Sequence, residues 1–219
     1  MRKTAALCVA AGALATGSAS ANMIDSFATG ADLAGGQVTV FWADGAGGII
    51  GVTQADILAT GPDSAIATIP NATNTGPGAI FSITGETFTA EWTLENTSLN
   101  LIGEILFTLS GTDSVFHSSP DDAGSPGSLF GRPGIVYNAL GSTAPAHNDA
   151  FEFSALADPV NTADDLFLAQ RISWDNVTAG FGPGQTFSWF DDTDLIVIPA
   201  PGSAALLGLA GLATLRRRR

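Results

Sequence analysis

The sequence predicts an all-β protein, a two-sheet β-sandwich for which a jelly roll is one admissible topology. An N-terminal signal helix and a short C-terminal hydrophobic helix are expected to flank it. Three observations carry this prediction. Thr87–Leu94 alternates Phe88, Ala90, Trp92 and Leu94 with Thr87, Thr89, Glu91 and Thr93, the period of a half-buried strand. Clusters such as GPDS, NATNTGPG, SSPDDAGSPGS and FGPGQ recur between apolar runs, and their Gly, Pro, Asn and Asp residues break helices and make turns. No long stretch sustains a helical period, and about 175 residues between the termini suffice for one all-β core.

The elements follow in order along the chain. Arg2 and Lys3 precede an apolar run from Thr4 to Thr16, and Ala19-Ser20-Ala21 stands before Asn22. Positive start, apolar run and small-x-small site are the layout of a secretory signal peptide over residues 1–21, cut between Ala21 and Asn22. The only cysteine, Cys8, lies inside that segment, so the expected mature chain has neither a disulfide nor a thiolate ligand. The domain expected at 22–197 carries strand-like runs at Gln37–Trp42, Thr87–Leu94, Leu101–Leu109, Leu166–Trp174 and Gln185–Phe190. Thr53–Thr60 is the one stretch suited to a short helical turn, and His117–Pro133 reads as a long loop.

Charge restricts the partners. Residues 22–197 contain two basic residues, Arg132 and Arg171, against all 21 acidic ones, a formal charge of −19 with no lysine. Such a surface repels nucleic acid and anionic lipid, so nucleic acid is not an expected partner. The missing lysine also excludes Schiff-base chemistry and a phosphate-binding P-loop within the domain.

Few residues suggest chemistry. Asp191, Asp192 and Asp194 place three carboxylates within four residues; they are the candidate Ca²⁺ ligands, although EF-hand spacing is absent. The competing reading is a solvated turn whose charges keep a strand from pairing with another chain. Asp121 with Asp122 and Asp164 with Asp165 are weaker pairs of the same kind. His117 and His147 lack the H-x-x-x-H spacing of a zinc site, and no G-x-S-x-G elbow accompanies HSSPDD. Trp42, Trp92, Trp174 and Trp189 each sit in an apolar run, which favours core packing over sugar stacking. No catalytic residue emerges, no cofactor beyond the Ca²⁺ candidate is implied, and the chain is not expected to be an enzyme.

The C-terminal segment 198–219 is the most specific signal. Pro199-Ala200-Pro201 precedes a run of small apolar residues and leucines that ends in Arg216, Arg217, Arg218 and Arg219. As a helix, the run from Gly202 to Leu215 is about 21 Å long, against the roughly 20 apolar residues that a stable span needs. The arginines hold the chain end on the cytoplasmic side. Together these describe a transient membrane stop.

This order of Pro-x-Pro, short apolar helix and basic end resembles the PEP-CTERM sorting tag, with Ala200 standing where the family carries glutamate. AEWTLENTS, GSPGSLFG and DDLFLAQRISWDNVTAGFGPGQTFSWFDDTDL are similar to an extracellular domain that recurs with that tag. The resemblance implies recognition by an exosortase, a membrane-embedded transpeptidase-like enzyme that cuts near Pro199-Ala200-Pro201. It also implies an exported destination at the cell envelope surface or extracellular matrix, reached through an inner-membrane intermediate. A structural or adhesive role linked to exopolysaccharide or biofilm is therefore expected. Two alternatives stay open. A carbohydrate-binding module requires exposed aromatic side chains on one sheet, and a glycan-active hydrolase requires two carboxylates facing each other about 5–10 Å apart.

Overall fold

The computed structural model describes residues 23–25, 27–46, 48–118, 135–136, 152–156, 166–174 and 182–197, which form fourteen strands and one 3₁₀ turn. The segment expected to be a signal peptide, with Ala19, Ala21 and Asn22, lies outside the described residues. So do Pro199, Ala200, Pro201, Arg216–Arg219, the Asp121–Asp122 and Asp164–Asp165 pairs, Arg132 and His147.

The strands are β1 (Met23–Asp25), β2 (Gln37–Ala43), β3 (Ile49–Asp56), β4 (Leu58–Ala59), β5 (Ser64–Pro70), β6 (Pro77–Thr84) and β7 (Trp92–Asn96). They continue as β8 (Leu101–Thr108), β9 (Ser114–His117), β10 (Ile135–Val136), β11 (Glu152–Leu156), β12 (Leu166–Ser173), β13 (Thr186–Phe190) and β14 (Thr193–Val197). One sheet runs β1-β14-β9-β12-β8-β2-β3, with β11 also paired to β12; the other runs β10-β13-β7-β6-β5-β4. Every pairing among these strands is antiparallel, and the two sheets pack as a sandwich.

Alternation decides which side chains fill the space between the sheets. Val38, Val40 and Trp42 of β2 and Ile105 and Phe107 of β8 enter from one sheet; Phe81, Trp92, Leu94, Phe187 and Trp189 enter from the other. Their rings form one contiguous cluster. Trp92 lies 5.8 Å from Phe81, 6.1 Å from Phe107 and 5.9 Å from Trp189 between ring centroids, and Phe187 stacks on Trp189 at 5.1 Å. All four tryptophans are buried, the most accessible being Trp174 at 4 %. Core packing is the sequence expectation for them, and the structure shows it.

Two segments differ from the sequence reading. Thr53–Thr60 makes no helical turn: it is the end of β3, a break at Ile57, and β4. Ile57 is fully buried, and its N–H donates to the Gly36 carbonyl, so side chain and backbone hold the chain extended. Thr87–Leu94 is strand only from Trp92. Gly85 turns the backbone at φ +111°, and the Glu86 carboxylate accepts from the Phe88 N–H and the Thr89 hydroxyl. Ala90 N–H closes the turn on the Glu86 carbonyl. Thr87, expected on the wet face, is fully buried.

The β5–β6 hairpin shows how tightly one turn is fitted. Asn71 Oδ1 accepts from the backbone N–H groups of Thr73 and Thr75, the self-capping that makes Asn a turn residue. Across this turn, a Cβ at Gly78 would lie 2.5 Å from the Asn71 backbone nitrogen and 2.6 Å from the Pro70 carbonyl oxygen. Backbone atoms cannot swing aside as a side chain does. Gly78→Ala is therefore expected to destabilise the domain by about 1–3 kcal/mol. In urea the unfolding midpoint should fall with the slope unchanged; an unaltered midpoint would contradict this fit.

Candidate metal centre

Three polar side chains meet in the interior where β9, β13 and β14 come together. His117 ends β9, while Asp192 and Asp194 lie on either side of the start of β14. The ladder sets their positions. Thr193 is opposite Phe116, and Asp194 is opposite Val115. The His117 N–H donates to the Asp192 carbonyl at 3.0 Å, locking the β13–β14 connection onto the end of β9. His117 Nδ1 then lies 2.9 Å from Asp194 Oδ2 and 3.5 Å from Asp192 Oδ2. The donor atoms of the three residues all fall within 4.8 Å of one another.

The surroundings are dry. His117 and Asp194 are fully buried, and Asp192 is 2 % exposed. Thr193, between the two carboxylates, donates its hydroxyl to Thr87 Oγ1 at 3.0 Å. The Thr87 hydroxyl in turn lies 3.2 Å from the carbonyls of Ala28 and Thr193. Trp92 Nε1–H reaches the Thr87 carbonyl at 3.1 Å. The buried threonine thus joins the β6–β7 connection to the first residues of β14 and holds the carboxylates from behind.

Burial and charge act in opposite directions on these groups. Removal from water is the largest influence on His117 and disfavours its charged form. The hydrogen bonds and negative charges of Asp192 and Asp194 together outweigh it, so the imidazole is pushed up to about 10. Burial pushes Asp192 up to about 6 and Asp191 up to about 7. Asp191, the third member of the sequence's acidic triad, is fully buried but engaged elsewhere: it accepts from Gln170 Nε2 and from the Asp192 N–H.

The structure therefore brings two of the three predicted aspartates together with a histidine whose sequence spacing suggests no metal site. The acidic stretch is not a solvated turn, since all three carboxylates lie inside the protein. Chemically the cluster can hold an imidazolium between two carboxylates, or converge one nitrogen and several oxygens on a divalent cation. Nothing in it resembles a nucleophile paired with a base.

A second polar group lies on β8, β11 and β12. Arg171, the only Lys or Arg among the described residues, contacts Glu104 through Nε–Oε1 at 3.2 Å. Glu152 is directly opposite Arg171 across the β11–β12 ladder. Burial raises the Glu104 carboxyl, Arg171 lowers it, and Glu152 raises it again. A hollow of about 570 Å³ is lined there by Leu106, Glu152, Phe153, Ser154, Ala169 and Arg171.

Comparison with protein-family models, curated proteins and solved structures finds no match for this chain.

Proposed function

We propose that this protein is exported, sorted through its C-terminal tag, and serves a structural or adhesive role at the cell surface or in the extracellular matrix. The observation that carries the reading is the tail itself: Pro199-Ala200-Pro201, then a short apolar run, then Arg216–Arg219. The run is too short to hold a bilayer well, and the arginines stall it with the domain outside. An exosortase-type enzyme would be its processing partner, after transient membrane contact, and exopolysaccharide the material it associates with.

The burial of all four tryptophans supports this reading over a sugar-binding one. A sugar-stacking platform needs an exposed ring face, and none of the four offers one, which weighs against the carbohydrate-binding alternative. Among the described residues, the hollow lined by Glu152 and Arg171, with Glu104 near enough to feel the Glu152 charge, is the feature that favours a glycan-active alternative. The Arg171–Glu104 ion pair accounts for the same residues as a cross-strand contact.

Intact mass and cell fractionation test the proposal. The native protein should lose its tail near Pro199–Pro201 and leave the inner membrane. A chain lacking Arg216–Arg219 should keep its tail and be found elsewhere. A native protein with its tail intact, together with unchanged location of the deletion, would overturn the sorting reading.

A further inference from the structure

We propose that His117, Asp192 and Asp194 bind one divalent transition-metal ion, of which Zn²⁺ is the best match, as a buried structural clasp between β9 and the start of β14. Four observations lead there.

The first is spacing. With metal–ligand bonds of about 2.1 Å, ligands around a tetrahedral ion lie about 3.4 Å apart, and around an octahedral ion about 3.0 Å. The separations of 2.9 Å and 3.5 Å from His117 Nδ1 to the two carboxylates match those edges. A small adjustment of side chains would open room for the ion.

The second is an unmet need. Asp194 is fully buried and its Oδ1 has no hydrogen-bond partner, while Asp194 Oδ2 and Asp192 Oδ2 share the single Nδ1 of His117 at 2.9 Å and 3.5 Å. His117 Nδ1 is near enough to attract Asp192 Oδ2 and Asp194 Oδ2 electrostatically, but Asp194 Oδ1 has no such neighbour. Buried carboxylate oxygens left this way are costly. A cation bound by both oxygens of Asp194, by Asp192 Oδ2 and by His117 Nδ1 would satisfy all of them in a four-coordinate site.

The third is charge. Asp192 and Asp194 place two buried carboxyl groups beside one imidazole. A dication balances that set better than one proton on a histidine.

The fourth is donor chemistry. Ca²⁺ takes six to eight oxygens, whereas imidazole with carboxylates suits Zn²⁺ and its neighbours in the first transition row. A site closed to solvent with all donors from protein fits a structural ion, because catalytic zinc keeps an open position.

The test uses the untagged full-length protein, stripped with a chelator and desalted. Added Co²⁺ should bind at one ion per chain with visible d–d absorption, and one equivalent of Zn²⁺ should displace it. Asp194→Asn should weaken Zn²⁺ binding by more than about 10-fold, since losses of supporting residues alone reach about 10–100-fold. Asp191→Asn, outside the donor set, should bind as the parent does. Absence of one-to-one Co²⁺ binding, equal affinity in Asp194→Asn, or Ca²⁺ binding as tight as Zn²⁺ would each overturn the site. If Asp194→Asn does not fold, the histidine ¹⁵N resonances of the parent decide. Zn²⁺ must move the His117 Nδ1 signal, and an unmoved signal means that the cluster is an ion pair alone.

Discussion

Trp92→Ala is expected to lower the thermal midpoint of the domain by about 6–20 °C. The indole is fully buried and touches Phe81, Phe107, Phe116 and Trp189, with ring centroids 5.8–6.2 Å away. Removing a core aromatic to alanine costs about 3–5 kcal/mol, and a domain of this size loses about 2–4 °C for each kcal/mol. Total stabilities run only to about 5–15 kcal/mol, so one side chain carries a large share of the fold. Trp92→Phe separates the two contributions: it keeps a ring in the cluster but leaves the Thr87 carbonyl without its indole donor. That loss should be smaller, about 1–3 kcal/mol. Calorimetry checks both. A shift below about 3 °C for Trp92→Ala would mean that the aromatic cluster is not the centre of stability.

The second large effect is with pH, measured in a chelator so that no cation intervenes. The metal-free domain should become less stable as pH rises from about 7.5 to 10. His117 has an ordinary value of 6.5 and is pushed up to about 10 in the fold. A raised histidine contributes stability fully below 6.5, and that contribution is lost as pH climbs through 10. Asp191 and Asp192 have the same sign in a lower window. Their raised values, about 7 and about 6, mean stability lost as pH rises from the ordinary carboxylate value of 3.8 through those points. The upper window is unusually clean, because residues 22–197 contain no lysine and one tyrosine, Tyr137. A tenfold change in proton affinity is worth about 1.4 kcal/mol, so the unfolding midpoint should fall measurably across this window. His117→Gln should flatten the profile above pH 7.5. A parent midpoint that is level or rising over that range would show that the imidazole is not held by these carboxylates.

How far the sequence is readable depends on the range of the forces involved. Gln37–Trp42, Leu101–Leu109, Leu166–Trp174 and Gln185–Phe190 match β2, β8, β12 and β13 to within a residue or two. Alternation is a local signal, and a strand between two layers obeys it. The same signal misleads at Thr87–Leu94. There Gly85, Glu86 and Ala90 make a turn, and Thr87 satisfies its hydroxyl in the interior through Thr193, a partner that no local pattern announces. Ile57 is the converse case, since its burial, its bond to the Gly36 carbonyl and the pairing of β3 with β2 keep Thr53–Thr60 extended. The acidic triad is visible as three neighbours in sequence, but its burial is not, nor is Asp191's commitment to Gln170. His117 gives no local signal because its partners are far along the chain. It is the pairing of β9 with β14 that carries the histidine to them.

That pairing has a mechanical meaning. β14 is flanked by β1 and β9, and Met23 is opposite Val197. The chain thus enters and leaves this domain side by side, at one corner of one sheet. Tension applied through the residues after Val197 would first strain the β1–β14 ladder and then the grip of Asp194 and Asp192 on His117. The strand nearest the tail is also the one that Asp194 and Thr193 tie to His117 and Thr87 in the interior. A domain tethered by its C-terminal end would therefore meet a pull first at this buried fastening, before the load reached the rest of the sandwich.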